Sequence, residues 1–172
     1  MQLMIEQLKE SKNTWMASHV ADAEYPTALS ENGLALYQAL HASSSTSQLV
    51  LPLTARTNNL SFYPVDCHPL TIRYAMTLAN FWNDEKQREA VMEYLTQIMF
   101  EADSAASLFV GFFKGKPAAC GMVFQDAEQA LICDVHALPL PNQEDLIEEM
   151  TAYLTTQIAP SNQSVHLEQT AQ

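Results

Sequence analysis

Glycine is scarce in this chain: four residues in 172, and none after Gly121. Beyond that point no residue adopts positive φ freely or brings backbone to a ligand without a Cβ in the way. A glycine-rich phosphate cradle in the last third is therefore excluded. Basic residues are also few, eight against 20 acidic ones for a net charge of −12, and none follows Lys116. Without clustered Lys or Arg there are no counterion-releasing contacts, so nucleic acid is not an expected partner. Cys67, Cys120 and Cys133 are odd in number and form no C-x-x-C pair, which argues against a disulfide framework and a structural zinc site. Apolar runs stay well short of the ~20 residues that span a bilayer. The opening Met1-Gln2-Leu3-Met4-Ile5-Glu6 has no basic stretch before an apolar one. A cytoplasmic protein without a membrane partner is the expectation.

What is present is enough apolar material, 48%, to build one main core in a chain of single-domain length. Leu3, Leu8 and Trp15 mark a first amphipathic helix, and Leu34, Tyr37, Leu40 and His41 keep helical spacing in a second, with Pro26 between them. The run Ser43-Ser44-Ser45-Thr46-Ser47 reads as loop, Leu49-Val50-Leu51 as a short strand, and Leu60-Ser61-Phe62-Tyr63 alternates like another. Residues 70–81 carry a helical pattern, Asn83-Asp84 breaks it, and Val91, Leu95, Ile98 and Met99 stripe a further helix. Leu108–Phe113 and Ala118–Phe124 read as antiparallel strands turned by Lys114-Gly115-Lys116. Residues 130–138 form the strongest strand pattern and end at Pro139. Leu146, Ile147, Met150, Leu154 and Ile158 then stripe a helix that Asn142 can cap. Val165-His166-Leu167 closes the chain as a strand.

From residue 59 this order of strand, two helices, three antiparallel strands, helix and strand resembles the first half of the GNAT acyltransferase fold. The phrases Val110–Val123, around the Gly115 turn, and Ile132–Pro139 look like the family's second, third and fourth strands. The resemblance implies an α+β fold: a mixed, mainly antiparallel sheet flanked by helices over 59–172, with residues 1–50 as a helical N-terminal extension. It implies acyl transfer from acetyl-CoA to a small-molecule amine, in a cleft lined by the fourth strand. There the family places a Q/R-x-x-G-x-G/A loop whose backbone N–H groups hold the pyrophosphate. Here Asn142–Glu149 lacks glycine and opens its helix with Glu144 and Asp145, carboxylates that suit a helix N-terminus and repel an added anion. Donors to the coenzyme would have to come from Lys114, Lys116, Arg73 or Arg56.

The family's later helix and strands have no room after Leu167. Asn32–Tyr37 followed by Leu49–Leu51 resembles the family's N-x-x-A-x-x-L-Y helix and a later strand, so a permuted arrangement would make Tyr37 the acid toward the departing thiolate. Asp134 and His136, two apart on a strand, project to one face, with Cys133, Val135 and Ala137 on the other. A histidine oriented by a carboxylate is a reasonable general base, and a solvated sheet face accounts equally for the alternation. The resemblance further places Ala137, Pro139 and Asn142 against the coenzyme. Neither a metal at Cys133, Asp134 and His136 nor a nucleophile at Cys67 has the spacing it needs. A non-catalytic module that pairs with a protein partner, or with itself as a homodimer, is the alternative from a different class.

Overall fold

The computed structural model describes residues 2–99, 103–160, 162 and 164–170. Among these residues are five helices and six strands: α1 (Gln2–Ala21), α2 (Ala28–His41), β1 (Ser45–Gln48), β2 (Ser61–Pro64), α3 (His68–Ala79), α4 (Glu85–Leu95), β3 (Ala106–Phe113), β4 (Lys116–Gln125), β5 (Gln129–Ala137), α5 (Gln143–Thr156) and β6 (Ser164–Gln169). The strands form one open sheet in the order β1-β6-β5-β4-β3-β2. Every neighbouring pair is antiparallel except β5 and β6, which α5 joins as a parallel pair must be joined, by a helical crossover. The fold is thus α+β, mainly antiparallel, with helices on both faces.

α1 buries Ile5, Leu8 and Met16 on one stripe, and Lys12 lies on that same stripe, fully buried. The side chain of Leu3, assigned to this stripe from the sequence, lies outside the described residues. α2 starts at Thr27, whose hydroxyl accepts from Ser30 N while Ser30 Oγ accepts from Thr27 N, a reciprocal cap. It crosses α4 at Gly33, where a Cβ would come within 2.0 Å of the Ala90 carbonyl oxygen. α4 is capped by Asp84, which accepts from Gln87 N, and ends at Leu95. Met99, read as part of that helical stripe, instead stands beyond it and is exposed.

The β3–β4 turn follows its sequence closely. Lys114 and Gly115 both have positive φ, 52° and 79°, the pairing that a two-residue type I′ hairpin requires. The strand expected at Leu49–Leu51 forms earlier, at Ser45–Gln48, in the run read as loop. An edge strand needs little burial, and Ser and Thr pair there without an apolar partner. Leu49 makes one more bond, from its N–H to Val165 O. Pro52 has no N–H to continue the ladder.

Two apolar layers flank the sheet. Tyr37, Tyr74, Leu78, Tyr94 and Leu95 from the helical side meet Leu108, Val110, Cys120, Met122, Leu131 and Cys133. On the opposite face Leu146, Met150 and Leu154 of α5 cover Phe109, Ala119, Val123, Ala130 and Ile132. The segment 49–60 connects β1 to β2, at the opposite edge of the sheet, and is fastened to α5. Glu149 accepts from Leu60 N at 2.9 Å, Thr57 Oγ1 at 2.7 Å and both nitrogens of Asn59, while Arg56 pairs with Glu148 at 3.0 Å.

Candidate functional site

Among the described residues β5 and β6 pair only from Gln129↔Ser164 to Ile132↔Leu167. Further along, β5 bonds only β4, as far as Ala137, and β6 follows β1 to Gln169. Parallel strands that part in mid-sheet leave unpaired backbone facing a gap. Here that gap is a cavity of about 170 Å³ between Asp134, Val135 and His136 on one side and Glu168, Gln169 and Thr170 on the other.

At the point of parting β5 carries a bulge. Cys133 pairs with Met122 and His136 with Cys120, so β5 has one residue more than β4 between these pairs. Asp134 takes the extra turn at φ 57°, a left-handed conformation that aspartate tolerates better than most residues. Strict alternation puts Cys133 on the face away from Asp134; the bulge breaks it and brings both to the helical side. Asp134 and His136 do share that face, but they do not act on one another. Asp134 is turned toward α2, and its imidazole neighbour is His41.

A buried cluster of charge results. Tyr37 Oη donates to Asp134 Oδ2 at 2.7 Å, and His41, four residues on and hence on the same side of α2, sets Nε2 2.9 Å from Asp134 Oδ1. His41 Nδ1 lies 3.2 Å from Glu168 Oε1. Lys12 Nζ donates to that oxygen at 2.7 Å and sits 3.5 Å from Tyr37 Oη. Ser44 Oγ donates to Glu168 Oε2 at 2.8 Å, and Lys9 stands 3.7 Å away. The side chains of Lys12 and Glu168 are 0% and 1% exposed.

Burial pushes both carboxyls up, but His41 and Lys12 outweigh it, aided by Tyr37 at Asp134, and hold Asp134 and Glu168 below the usual carboxylate range. Burial also disfavours the charged forms of His41 and Lys12. The carboxylates outweigh it, and both are raised. Tyr37, fully buried and facing Asp134, is pushed far up and stays a phenol. The cluster is therefore charged and internally compensated, as a buried set of ions must be.

His136 is a different kind of group. Burial alone lowers it to about 4, so it is neutral at pH 7. Its Nε2 is 3.5 Å from Asn80 Oδ1 and its ring meets Phe81 edge-on at 5.7 Å. It lines the cleft and also a second cavity of about 300 Å³, together with Asn80, Phe81, Asn83, Pro139 and Gln143.

The residues expected near a coenzyme gather at the corner between β5 and α5, in unequal roles. Pro139 lines the second cavity. Ala137 is buried, and its carbonyl accepts from Gln143 Nε2 at 2.8 Å. Asn142 precedes α5 without a side-chain cap bond, contrary to the capping role expected of it: its backbone at φ −101°, ψ 25° departs from the extended conformation of a capping residue. Of the expected donors, Arg56 is engaged by Glu148, Arg73 donates to Pro69 O, and Lys114 lies over the Phe113 ring. Lys12, His41, Glu168 and Gln143 were not foreseen. A legible cue existed for Lys12, which occupies the turn between Leu8 and Met16 on an otherwise apolar stripe. Among the described residues no group of three His, Cys, Asp or Glu is arranged to hold a metal ion, and no helix is long and apolar enough to cross a membrane.

No protein-family model matches the chain, and no curated protein matches it significantly. Among solved structures it is similar to a conserved protein of unknown function from Staphylococcus epidermidis, with a TM-score of 0.56 and 13% identity over 80% of this chain and 56% of that one. It is also similar to a putative acetyltransferase of the GNAT family from Novosphingobium aromaticivorans, TM-score 0.42, 10% identity, over 74% and 52% of the two chains. A third likeness is to a conserved protein of unknown function from Bacteroides thetaiotaomicron, TM-score 0.39, 9% identity, over 90% and 48%. The chain spans about half the length of each. The first defines a shared α+β fold; at scores below 0.5 the other two carry no weight.

Proposed function

We propose that this chain is a GNAT-like acyltransferase module whose cleft between β5 and β6 takes the thioester end of acetyl-CoA, with the pyrophosphate only weakly held. The observation that supports this most is the parting of the parallel pair after Ile132 and Leu167 around a cavity, with a bulge at Asp134 on the cleft wall. Unpaired strand backbone beside a cavity is a natural seat for an extended, amide-bearing chain. His136, neutral and on the wall, is the group able to take a proton from an attacking amine. Tyr37 sits behind Asp134 and holds it in place, a positioning role in this structure. At the entrance to α5, Glu144 and Asp145 oppose the coenzyme's phosphates, which leaves Lys114 and Lys116 of the β3–β4 turn to attract them.

Calorimetric titration with acetyl-CoA and with desulfo-CoA at low salt tests the reading. Saturable micromolar binding, weakened about tenfold or more when Lys114 and Lys116 are both alanine, is expected. No heat up to millimolar coenzyme would sink it.

A specific observation favours a second reading, a non-catalytic interaction module on the same scaffold. Tyr37 and Asp134 are wholly engaged in the ion cluster, the hydroxyl far from its ionisable range, and neither is free to exchange protons with a substrate. Coenzyme silence combined with a concentration-dependent sedimentation coefficient would favour it.

A further inference from the structure

The 300 Å³ cavity beside His136 differs from the cleft in its chemistry. Its polar lining consists of the amides of Asn80, Asn83 and Gln143 and the imidazole of His136, and its apolar wall is Phe81 with Pro139. None of these carries a charge at neutral pH. Of the carboxylates on the flanking segments, Asp84 caps α4 through Gln87 N at 2.9 Å, Asp134 is held by Tyr37 and His41, and Glu144 and Asp145 follow Gln143 in the first turn of α5, outside the lining. One cation, Arg88, donates to the carbonyls of Trp82 and Asn83 at 3.1 and 3.3 Å, on the same segment that walls the cavity. An ammonium entering here would meet no carboxylate in the lining itself, and a guanidinium lies close behind the wall.

Phe81, His136 and Gln143 belong to both cavities, so a group in the larger one adjoins the cleft. Resting on the acyltransferase reading, we infer that this cavity is the acceptor pocket and that its acceptor is an uncharged planar amine of the aniline class, stacked along Phe81 and bonded by the surrounding amides. The aromatic wall supplies contact area, and the amides fix orientation without asking for charge.

The chemistry agrees. The amine nitrogen attacks the thioester carbon; a C–N bond forms, the C–S bond breaks, and the proton lost by nitrogen passes to His136 and then to the departing thiolate. The histidine ends unchanged, and no other reactant is needed. An imidazole lowered to about 4 is far too weak a base to deprotonate an alkylammonium with a value of about 10, whereas an aniline arrives neutral and becomes acidic only as it attacks.

The test compares 4-aminobenzamide with benzylamine, two rings of similar size, the second a cation at pH 7. Binding is followed by the His136 ring proton signal in the full chain, with desulfo-CoA titrated into a parallel sample. A saturable shift is expected with 4-aminobenzamide in the millimolar range, at least about tenfold weaker with benzylamine, and weakened about tenfold by Phe81→Ala. Phe81→Leu, which keeps the packing volume closer, should lose most of the same affinity, which separates stacking from misfolding. Equal or tighter binding of benzylamine overturns the inference, as does coenzyme binding without any 4-aminobenzamide shift up to about 10 mM. A 4-aminobenzamide shift without coenzyme binding overturns the acceptor role and the acyltransferase reading together, while the selectivity of the pocket stands.

Discussion

The sheet carries a buried carboxylate site on each face, and the two are satisfied by opposite means. On the helical side Asp134 and Glu168 are balanced by cations, Lys12 and His41, with Tyr37 and Ser44 completing their bonds. On the α5 side Glu149 is held by neutral donors from the segment 57–60. Both sites lower their carboxyls: burial raises Glu149 and its neutral donors overcome it, much as the cations do for the other pair. The difference lies in what is lost with a partner. A neutral donor left alone costs one hydrogen bond, whereas an ion left alone in the interior costs its desolvation as well. The cation-balanced site therefore ties α1, α2, β5 and β6 into one cooperative unit, and the other is a local clasp.

Lys12→Met should break this contrast most sharply. It strands Glu168 without its closest cation, and a loss of about 3–5 kcal/mol in urea-denaturation stability is expected. Lys12→Met with Glu168→Leu should recover most of it, since removing both ions leaves an apolar contact; a double variant no better than the single one would show that the cluster is not a coupled unit.

Glu149→Ala leaves two backbone N–H groups without their acceptor, for about 1–3 kcal/mol. Hydrogen exchange should accelerate at Asn59 and Leu60 while β5 amides keep their protection. Tyr37→Phe removes a bond to a charged acceptor, about 1.5–3 kcal/mol, and should leave ordinary coenzyme affinity intact if its role is to position Asp134.

The remaining tests are in pH. The lowered carboxylates contribute stability that is whole above their unfolded values of about 4 and lost as pH falls through the folded ones. His136, about 4 against an ordinary 6.5, binds fewer protons folded than unfolded, so stability declines as pH drops from 6.5 toward 4, and His136→Gln should flatten that decline. His41 has the reverse sign. Raised above 6.5, it stabilises fully below that value and loses the contribution as pH rises through its folded value, and His41→Gln should remove that alkaline-side loss. Denaturation midpoints from pH 4 to 9 would show both slopes.

Much of the framework was legible from residue order. The hairpin around Lys114-Gly115, the break at Asn83-Asp84 and the stripes of α4 and α5 are local signals, each read within a few residues. The serine-threonine strand at 45–48 escaped because its reason is a neighbour, β6, more than a hundred residues away. The candidate site was half visible. Asp134, His136 and Tyr37 were named, and Tyr37 does meet Asp134 at 2.7 Å, but the pairing of Asp134 with His136 rested on unbroken alternation. One inserted residue at the bulge redirected the aspartate toward His41, and no local pattern announces where a ladder slips.

By itself the sequence determined the element order, the α+β class, the acidic entrance to α5 and the absence of a glycine loop, because periodicity, capping and missing residue types act over short range. Only the tertiary structure decided that β5 and β6 part after four pairs, that a lysine from α1 is buried against a glutamate 156 residues later, and that the aspartate of β5 faces α2. Such choices depend on burial and ion compensation, which exist only once distant segments are packed together.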